Sequence, residues 1–338
     1  MGKITVNMVS ESEFGIKAHG VHTAHREMVK ALQARDDVEV VVNGNGPADV
    51  LHVQTMGPYV IRKLLSRKYK AKVVSVHVVP ASLVGSLRGA RLWSPLAWPY
   101  LRAVYGMGDV MLACSRNVAE DLGRMRLKGY QTFYNSIDMS EYATSPEERA
   151  AARAALGIGK DEFVVVGNGQ VQPRKRVDVL ADYARANPEV RVFWVGGITF
   201  KKLGAEYSDM NELIETVPQN MTVTGVIDIA DVKQYYQAAD AFVLPSEQEN
   251  HPMCVLEAAG AGLPIVLRDI PNYEDTFGTD VLLAGSDEEF GTLIDRLRAE
   301  PHLRAEYAAG SGRIAERFDS GAAAERLVTL YRKLLAGR

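Results

Sequence analysis

Apolar residues in this chain fall into two kinds of stretch. Short runs rich in Val and Ile alternate with longer runs whose apolar positions return every three or four residues. The first kind predicts strands buried on both faces, the second predicts helices laid over them. Ile4–Val9 is the first strand run, and His19-Gly20 then opens a helix reaching about Ala34. Val38–Val42 and Asp49–Val53 read as strands, Tyr59–Lys68 as a helix and Lys72–His77 as a strand. Pro95–Tyr105 reads as helix, Asp109–Cys114 as strand and Asn117–Met125 as helix, and Gln131–Tyr134 closes the series. This βαβ rhythm predicts a parallel sheet covered on both faces.

The rhythm breaks over 139–161, an Ala-, Glu- and Arg-rich stretch in which Ser145-Pro146-Glu147-Glu148 is a helix start. A second series follows, with strands at Phe163–Gly167, Val190–Val195, Met221–Val223, Ala241–Leu244, Pro264–Leu267 and Val281–Leu283. Helices lie near Val177–Ala186, Asp231–Ala239 and Met253–Gly262, and from Asp287 onward the pattern is helical throughout. A chain of 338 residues exceeds what one core usually supports. The predicted division is a domain over 1–140, a second over 141–319, and a last helix, about 320–338, that returns to the first. Two doubly wound α/β units predict a central cleft, with ligands at the carboxyl ends of the strands.

Composition narrows the class. Hydrophobic residues make up 47% and charged residues 24%, which excludes disorder through low hydrophobicity. Cys114 and Cys254 sit in apolar surroundings far apart, as reduced core residues of a cytosolic protein do. MGKITVNMVS lacks the apolar centre of a signal peptide, and Val6 stands where myristoylation of Gly2 would want Ser or Thr. No apolar run approaches the ~18 residues of a membrane-spanning helix.

Two constellations carry candidate chemistry. Glu249 and Glu257 lie eight apart, the first on the loop after a buried strand and the second just over one turn into the next helix. Between them, the amides of Asn250, His251, Pro252, Met253 and Cys254 surround a helix start, a place that favours phosphate. Proline, without an N–H, contributes only its position there. A carboxylate in that neighbourhood suits sugar or ribose hydroxyls; a pair of glutamates also serves simply to complement a helix dipole. Arg174 and Lys175 follow Gly169-Gln170 at another strand end, where two cations suit a diphosphate and the charge on a departing nucleotide. Gly196-Gly197 and Thr224-Gly225-Val226 follow two further strands and permit close backbone approach. His19, His22 and His25 invite a metal reading, but their spacing of three puts at most two on one helical face, and no Asp-x-Asp occurs. No metal and no cofactor are expected.

These segments resemble the retaining GT-B glycosyltransferases of family 4, the group 1 glycosyltransferases. Pro245-Ser246, Glu249, Glu257-Ala258, Gly262 and Pro264 match that family's paired-glutamate signature. Lys175 matches the Lys of its Gly-Arg-Leu-x-x-x-Lys-Gly segment, whereas Gln170 stands at the Arg and Arg176 at the closing Gly. His19-Gly20 is similar to its Gly-Gly loop, and Ala113-Cys114-Ser115 and Asn135-Ser136-Ile137-Asp138 match other stretches, with Tyr134 replacing a Pro. The resemblance implies a GT-B fold of two Rossmann-like domains. It implies that Glu249 meets donor-sugar hydroxyls, Glu257 the ribose, and the Asn250–Cys254 amides the sugar and diphosphate. It implies that Lys175 and either Arg174 or Arg176 meet phosphate, that Gly20 faces phosphate, that Gly225-Val226 borders the base, and that His77 approaches the sugar. His77, Lys175 and Glu249 are then the catalytic set. In a front-face mechanism the departing phosphate takes the acceptor proton.

The near-neutral total of −3 hides an asymmetry. Between Asp49 and Asp109 there is no acidic residue and there are nine basic ones. Arg62, Lys63, Arg67 and Lys68 are interleaved with Ile, Leu and Tyr, and Trp93 and Trp98 follow among Arg91, Tyr100, Arg102 and Tyr105. That mixture suits anionic lipid headgroups, or a solvated helix face above core aromatics; no nucleic-acid motif accompanies it. SVHVVPASLVGSLRGA and LPSEQENHPMCVLEAAGAGLPIVLRDIPNY are similar to the branch of the family that makes glycosyl-diacylglycerols. The resemblance thus implies transfer of glucose from UDP-glucose to a diacylglycerol-like lipid, on the inner face of the cytoplasmic membrane. A soluble or polysaccharide acceptor, or a GT-B nucleotide-sugar epimerase, is the alternative.

Overall fold

The computed structural model describes residues 2–14, 20–83, 90–198 and 207–337; the side chains of 81, 83 and 90–95 are outside the description. The chain divides into two compact units. One comprises Met1–Val84, Arg91–Asp138 and Phe318–Arg338, and the other is built on Met139–Arg317.

The first unit holds a six-stranded parallel sheet among the described residues. Its strands are β1 (Ile4–Val9), β2 (Val38–Val42), β3 (Ala48–Val53), β4 (Tyr69–Val76), β5 (Val110–Ala113) and β6 (Tyr130–Thr132). Their order is β2-β1-β3-β4-β5-β6. The central Val- and Ile-rich runs, β1, β3, β4 and β5, form strands because helices cover both faces and bury most side chains of both alternating sets, whereas the edge strands β2 and β6 are largely exposed. One face packs Ile4, Val6, Leu32 and Val73 against Ala324, Leu327, Val328 and Tyr331. These last four lie on the helix Ser320–Ala336, so the first unit is completed by residues about three hundred positions away. Tyr331 adds a hydrogen bond between its hydroxyl and Nδ1 of His52 (2.6 Å), and Arg332 an ion pair to Asp37 (2.6 Å). The chain leaves this unit beside the point where it returns: Ile137 N–H donates to Phe318 O, and Ser320 N–H to Ile137 O.

The second unit repeats the plan with β7 (Phe163–Asn168), β8 (Val190–Val195), β9 (Met221–Val223), β10 (Ala241–Leu244), β11 (Ile265–Arg268) and β12 (Leu282–Ala284). The order is β12-β11-β10-β7-β8-β9, all parallel. From β7 the chain winds outward through β8 and β9, then returns to place β10 on the other side of β7. The winding therefore reverses between β7 and β10, and their carboxyl ends frame the crevice where ligands of open parallel sheets bind. The entry to this unit follows its residue types: Ser145 and Glu148 form a reciprocal capping box at the start of Pro146–Ala155.

Several elements differ from the sequence expectation. The helix expected over Tyr59–Lys68 is Pro58–Leu64, and the following strand begins at Tyr69 instead of Lys72. Tyr69 is drawn into the sheet because its hydroxyl accepts from Asn7 Nδ2 (3.0 Å) inside the core. The helix Tyr207–Glu215 has no buried residue, so it carried no core-facing apolar stripe to find.

Leu327 is 1% exposed, whereas Glu325 on the same helix faces solvent. Leu327→Ala is expected to lower stability by about 2–5 kcal/mol, and Glu325→Ala to change it by less than about 0.5 kcal/mol. Urea unfolding followed by circular dichroism measures both.

Candidate functional site

The loop after β7 begins at Gly169, whose φ of +150° is open to glycine and strained for other residues. A Cβ there would lie 3.1–3.2 Å from the end of the Lys175 side chain. The indole N–H of buried Trp194 donates to Gly169 O (2.9 Å) and pins the loop. Pro173–Lys175 makes one 3-10 turn, and Arg176 enters the next helix with φ +50°. This geometry turns Lys175 inward. It is 6% exposed, and its Nζ lies 2.6 Å from Oε1 of Glu249, on the loop after β10. Arg174 Nη1 meets the same oxygen at 3.1 Å and donates to Gln248 O at 2.7 Å. Two cations and one carboxylate from the loops flanking the β7–β10 reversal are thus joined. Burial pushes the Glu249 carboxyl upward, but Lys175 and Arg174 outweigh it and hold the group below the usual carboxylate range.

Beyond Glu249, Pro252 stands at the N-cap of the helix Met253–Gly260 and makes no side-chain hydrogen bond to it. His251 is buried and stacks on Phe277 (5.9 Å), and Pro252, Met253 and Cys254 are buried beside it, with Asn250 partly so. Asn272 Nδ2 donates to Glu249 O and ties this loop from the other side. One turn into the helix, Glu257 Oε2 accepts from the hydroxyl of Tyr236 (2.6 Å) and from Asn168 Nδ2 (3.3 Å). Burial pushes the Cys254 thiol up to about 12, and Cys114 likewise, so neither is a nucleophile near neutral pH.

Gly196 and Gly225 form an isolated bridge, and a Cβ on Gly196 would lie 2.1 Å from Gly169 O. The loops after β7, β8 and β9 therefore meet backbone to backbone. Val226, next in line, is 55% exposed although apolar.

The remaining expected residues divide. Gln170 accepts from Gln172 Nε2 (2.7 Å), and Gln172 Oε1 in turn accepts from Arg174 Nε (3.2 Å), so Gln170 belongs to the support of Arg174. Arg176, expected as an alternative phosphate cation, instead pairs with Asp178, Glu247 and Asp287; three carboxylates occupy it, and Arg174 is the cation beside Lys175. In the first unit, His77 follows β4 and its Nε2 lies 2.8 Å from Gln54 Oε1. Gly20 is the exposed first residue of the helix Gly20–Gln33; His19 lies outside the described residues. His22 and His25 both face inward from that helix, 3.7 and 3.6 Å from Glu13. Burial, the largest influence on His25, lowers its pKa to about 4, which keeps it neutral.

The basic stretch requires one correction. Arg62, Arg67 and Lys68 are exposed, but Lys63 is buried. Its ammonium lies over the Tyr59 ring and donates to Gly44 O and Asn45 Oδ1 (2.9 Å). A lysine on the inward side of a short helix is used as an internal donor and is not presented to a partner at the surface. Trp98 is half-buried against the first unit's core, and the Trp93 side chain lies outside the described residues. Asn168, Tyr236 and Gln54 were not found from sequence. Asn168 stood at the end of a buried strand, a positional signal that was available.

The site lies within a stretch known elsewhere. The family described as glycosyl transferases group 1 matches residues 148–311. The chain is similar to an alpha-galactosylglucosyldiacylglycerol synthase of Streptococcus pneumoniae, with 30% identity over 305 residues, 88% of this chain and 81% of that protein. It is similar to a processive diacylglycerol alpha-glucosyltransferase of Acholeplasma laidlawii, with 27% identity over 299 residues, 87% and 88% of the two chains. Among solved structures, HepE of Anabaena in complex with UDP-glucose has a TM-score of 0.77 at 18% identity, covering 98% of this chain and 100% of that one. Sucrose-phosphate synthase from Thermosynechococcus elongatus has a TM-score of 0.82 at 17% identity, covering 99% and 100%. These likenesses match the GT-B fold.

Lys175→Met is expected to strand the Glu249 carboxylate with Arg174 alone and to cost about 3–5 kcal/mol, most of it regained in Lys175→Met/Glu249→Leu. Because the folded-state pKa of Glu249 is depressed, its contribution is present above the ordinary value of 4.5 and is lost as pH falls below it. Denaturation from pH 7 to pH 3 should show a smaller acid loss in the double variant than in wild type.

Proposed function

The chain belongs to the group 1 glycosyltransferases, and on that premise we propose that it transfers glucose from UDP-glucose, with retention, to a diacylglycerol-like lipid at an anionic membrane surface. The observation that carries the donor reading is the convergence of buried Lys175 and half-buried Arg174 on buried Glu249 at the β7–β10 reversal. Two cations there suit a diphosphate, and a carboxylate among them suits sugar hydroxyls instead of phosphate. In this reading Glu249 accepts from the sugar hydroxyls. The amides from Asn250 to Cys254 that carry an N–H, together with Lys175 and Arg174, receive the sugar and diphosphate, and Glu257 holds the ribose. Gly225 and Val226 border the base. His77 and Gly20 keep the roles that the family resemblance gives them, toward the sugar and the phosphate.

The bond from the anomeric carbon to the β-phosphate oxygen breaks, and the acceptor oxygen bonds that carbon on the same face. The acceptor's hydroxyl proton passes to the departing phosphate oxygen. Lys175 and Arg174 stabilise the charge that develops there, so no metal is required by this scheme.

The lipid reading is supported by the activities for which the two relatives are named and by the surface of the first unit. Exposed Arg62, Arg67 and Lys68 stand on the same unit as exposed Leu65, Leu96 and Tyr100. Cations with apolar side chains among them suit the boundary of an anionic bilayer. No helix among the described residues is long and apolar enough to cross a membrane.

Purified protein incubated with UDP- and GDP-sugars, with and without diacylglycerol in anionic vesicles, is expected to release UDP and form an α-glycolipid only when lipid is present. Release without lipid would move the acceptor to a soluble molecule, and interconverted sugar nucleotides would indicate an epimerase. Glu249→Ala should lower kcat more than donor affinity, whereas Glu257→Ala should weaken UDP binding; unchanged kinetics in both would sink the assignment. Replacing Arg62, Arg67 and Lys68 by Gln should weaken vesicle binding by about tenfold to a hundredfold at low salt, at about 1 kcal/mol per charge before screening. Sedimentation with vesicles measures this, and Lys63→Gln should instead act on stability.

A further inference from the structure

Three elements of the second unit meet at one carboxylate oxygen. Asn168 ends β7, Tyr236 lies on the helix Ile229–Ala238, and Glu257 lies on the helix Met253–Gly260. The Tyr236 hydroxyl is 2.6 Å from Glu257 Oε2, and Asn168 Nδ2 is 2.7 Å from the Tyr236 oxygen and 3.3 Å from that same Oε2. The direction of each bond follows from chemistry. A phenol has one proton, and a carboxylate only accepts, so the tyrosine proton goes to Glu257. The Tyr236 oxygen must then accept from Asn168, which fixes the asparagine amide with its nitrogen toward both oxygens. The donation runs one way, from Asn168 to Tyr236 to Glu257.

The tyrosine is held for this purpose. It is 1% exposed, and its ring packs against Phe242 (5.9 Å) and Tyr142 (6.2 Å). Burial, then the nearby Glu257 charge, raises the phenol well above its ordinary pKa, so it remains a donor at any working pH. Both of these donations fall on Oε2 and come from two different elements, so together they restrict how the carboxylate can turn. The helix that carries Tyr236 starts at Ile229, three residues after the Gly225-Val226 loop. The support of the carboxylate and the loop proposed to border the base are therefore one continuous segment.

We propose that Tyr236 and Asn168 are positioning residues that orient Glu257 so that its carboxylate accepts from the ribose hydroxyls of the nucleotide, making this site selective for ribonucleotides over their deoxy counterparts. The inference rests on the reading above that Glu257 meets ribose. A tyrosine that only filled space would affect all nucleotides alike. A positioning tyrosine affects only those with ribose hydroxyls.

Calorimetric titration with UDP and with 2′,3′-dideoxy-UDP separates the two. Tyr236→Phe keeps the ring and removes the bond, and it is expected to weaken UDP by about tenfold, the equivalent of one hydrogen bond to a charged group. It should leave the dideoxy nucleotide unchanged. Asn168→Ser should move UDP in the same direction by less, and it stands in should Tyr236→Phe fold poorly. In turnover, the donor KM should rise with kcat nearly constant. Equal weakening of both nucleotides, or of neither, overturns the positioning role. Glu257→Ala is the control on the underlying reading. If it leaves wild-type discrimination between UDP and dideoxy-UDP intact, Glu257 does not meet ribose, and the proposal falls with it.

Discussion

A lysine and a glutamate taken out of water together, with a half-buried arginine against them, set the terms for the second unit. Each ion costs several kcal/mol to desolvate, and only close mutual contact offsets that. Lys175 and Glu249 reach 2.6 Å because their loops leave adjacent parallel strands at the point where the winding reverses. The contact also requires Gly169, since a Cβ there would press on the lysine stem. Trp194 beneath, Gln170 and Gln172 beside Arg174, and Asn272 behind Glu249 are all spent on holding that geometry. Glycine at 196 continues the pattern, because the next loop must lie against Gly169 itself. The result is a rigid edge where cationic and carboxylate groups are both ionised and close, which is what a charged, hydroxyl-rich ligand needs.

The fold was legible because parallel strands buried on both faces leave an uninterrupted apolar signature. Val190–Val195 and Ala241–Leu244 coincide with the runs that the sequence shows. The glutamates and Lys175 were legible for a different reason: their spacing matches a family signature that constrains both residue type and position. What stayed hidden depends on partners far along the chain. Asn168 and Tyr236 reach Glu257 from 89 and 21 residues away, and neither spacing has a local signature. Arg176 has one of its partners, Asp178, two residues on, but the carboxylates of Glu247 and Asp287 that complete its set lie 71 and 111 residues away. Lys63 was read as surface charge because a seven-residue helix gives too little periodicity to say which side faces inward.

The first unit uses buried polarity differently. His52 lies between Tyr331 and Ser75, at 2.6 and 2.8 Å, and burial lowers its pKa to about 3, so it stays neutral as a hydrogen-bonding strut. Gln54, two residues on, links that strut to His77. The histidine singled out from sequence is therefore the outer end of a network whose other end is on the helix Ser320–Ala336. That arrangement makes the position of His77 depend on a distant segment.

The same helix has a consequence for how the protein is made. Residues 139–317, the body of the second unit, emerge from the ribosome while the first unit still lacks the helix that covers Ile4, Val6 and Val73. At roughly 5–20 residues per second, that face waits about ten to forty seconds for its cover. The unit begun first is thus the one finished last, and during synthesis its exposed apolar face is the natural client surface for a chaperone. Loss of residues near 320–336 would injure the N-terminal half of the protein and leave the half synthesised just before them largely intact.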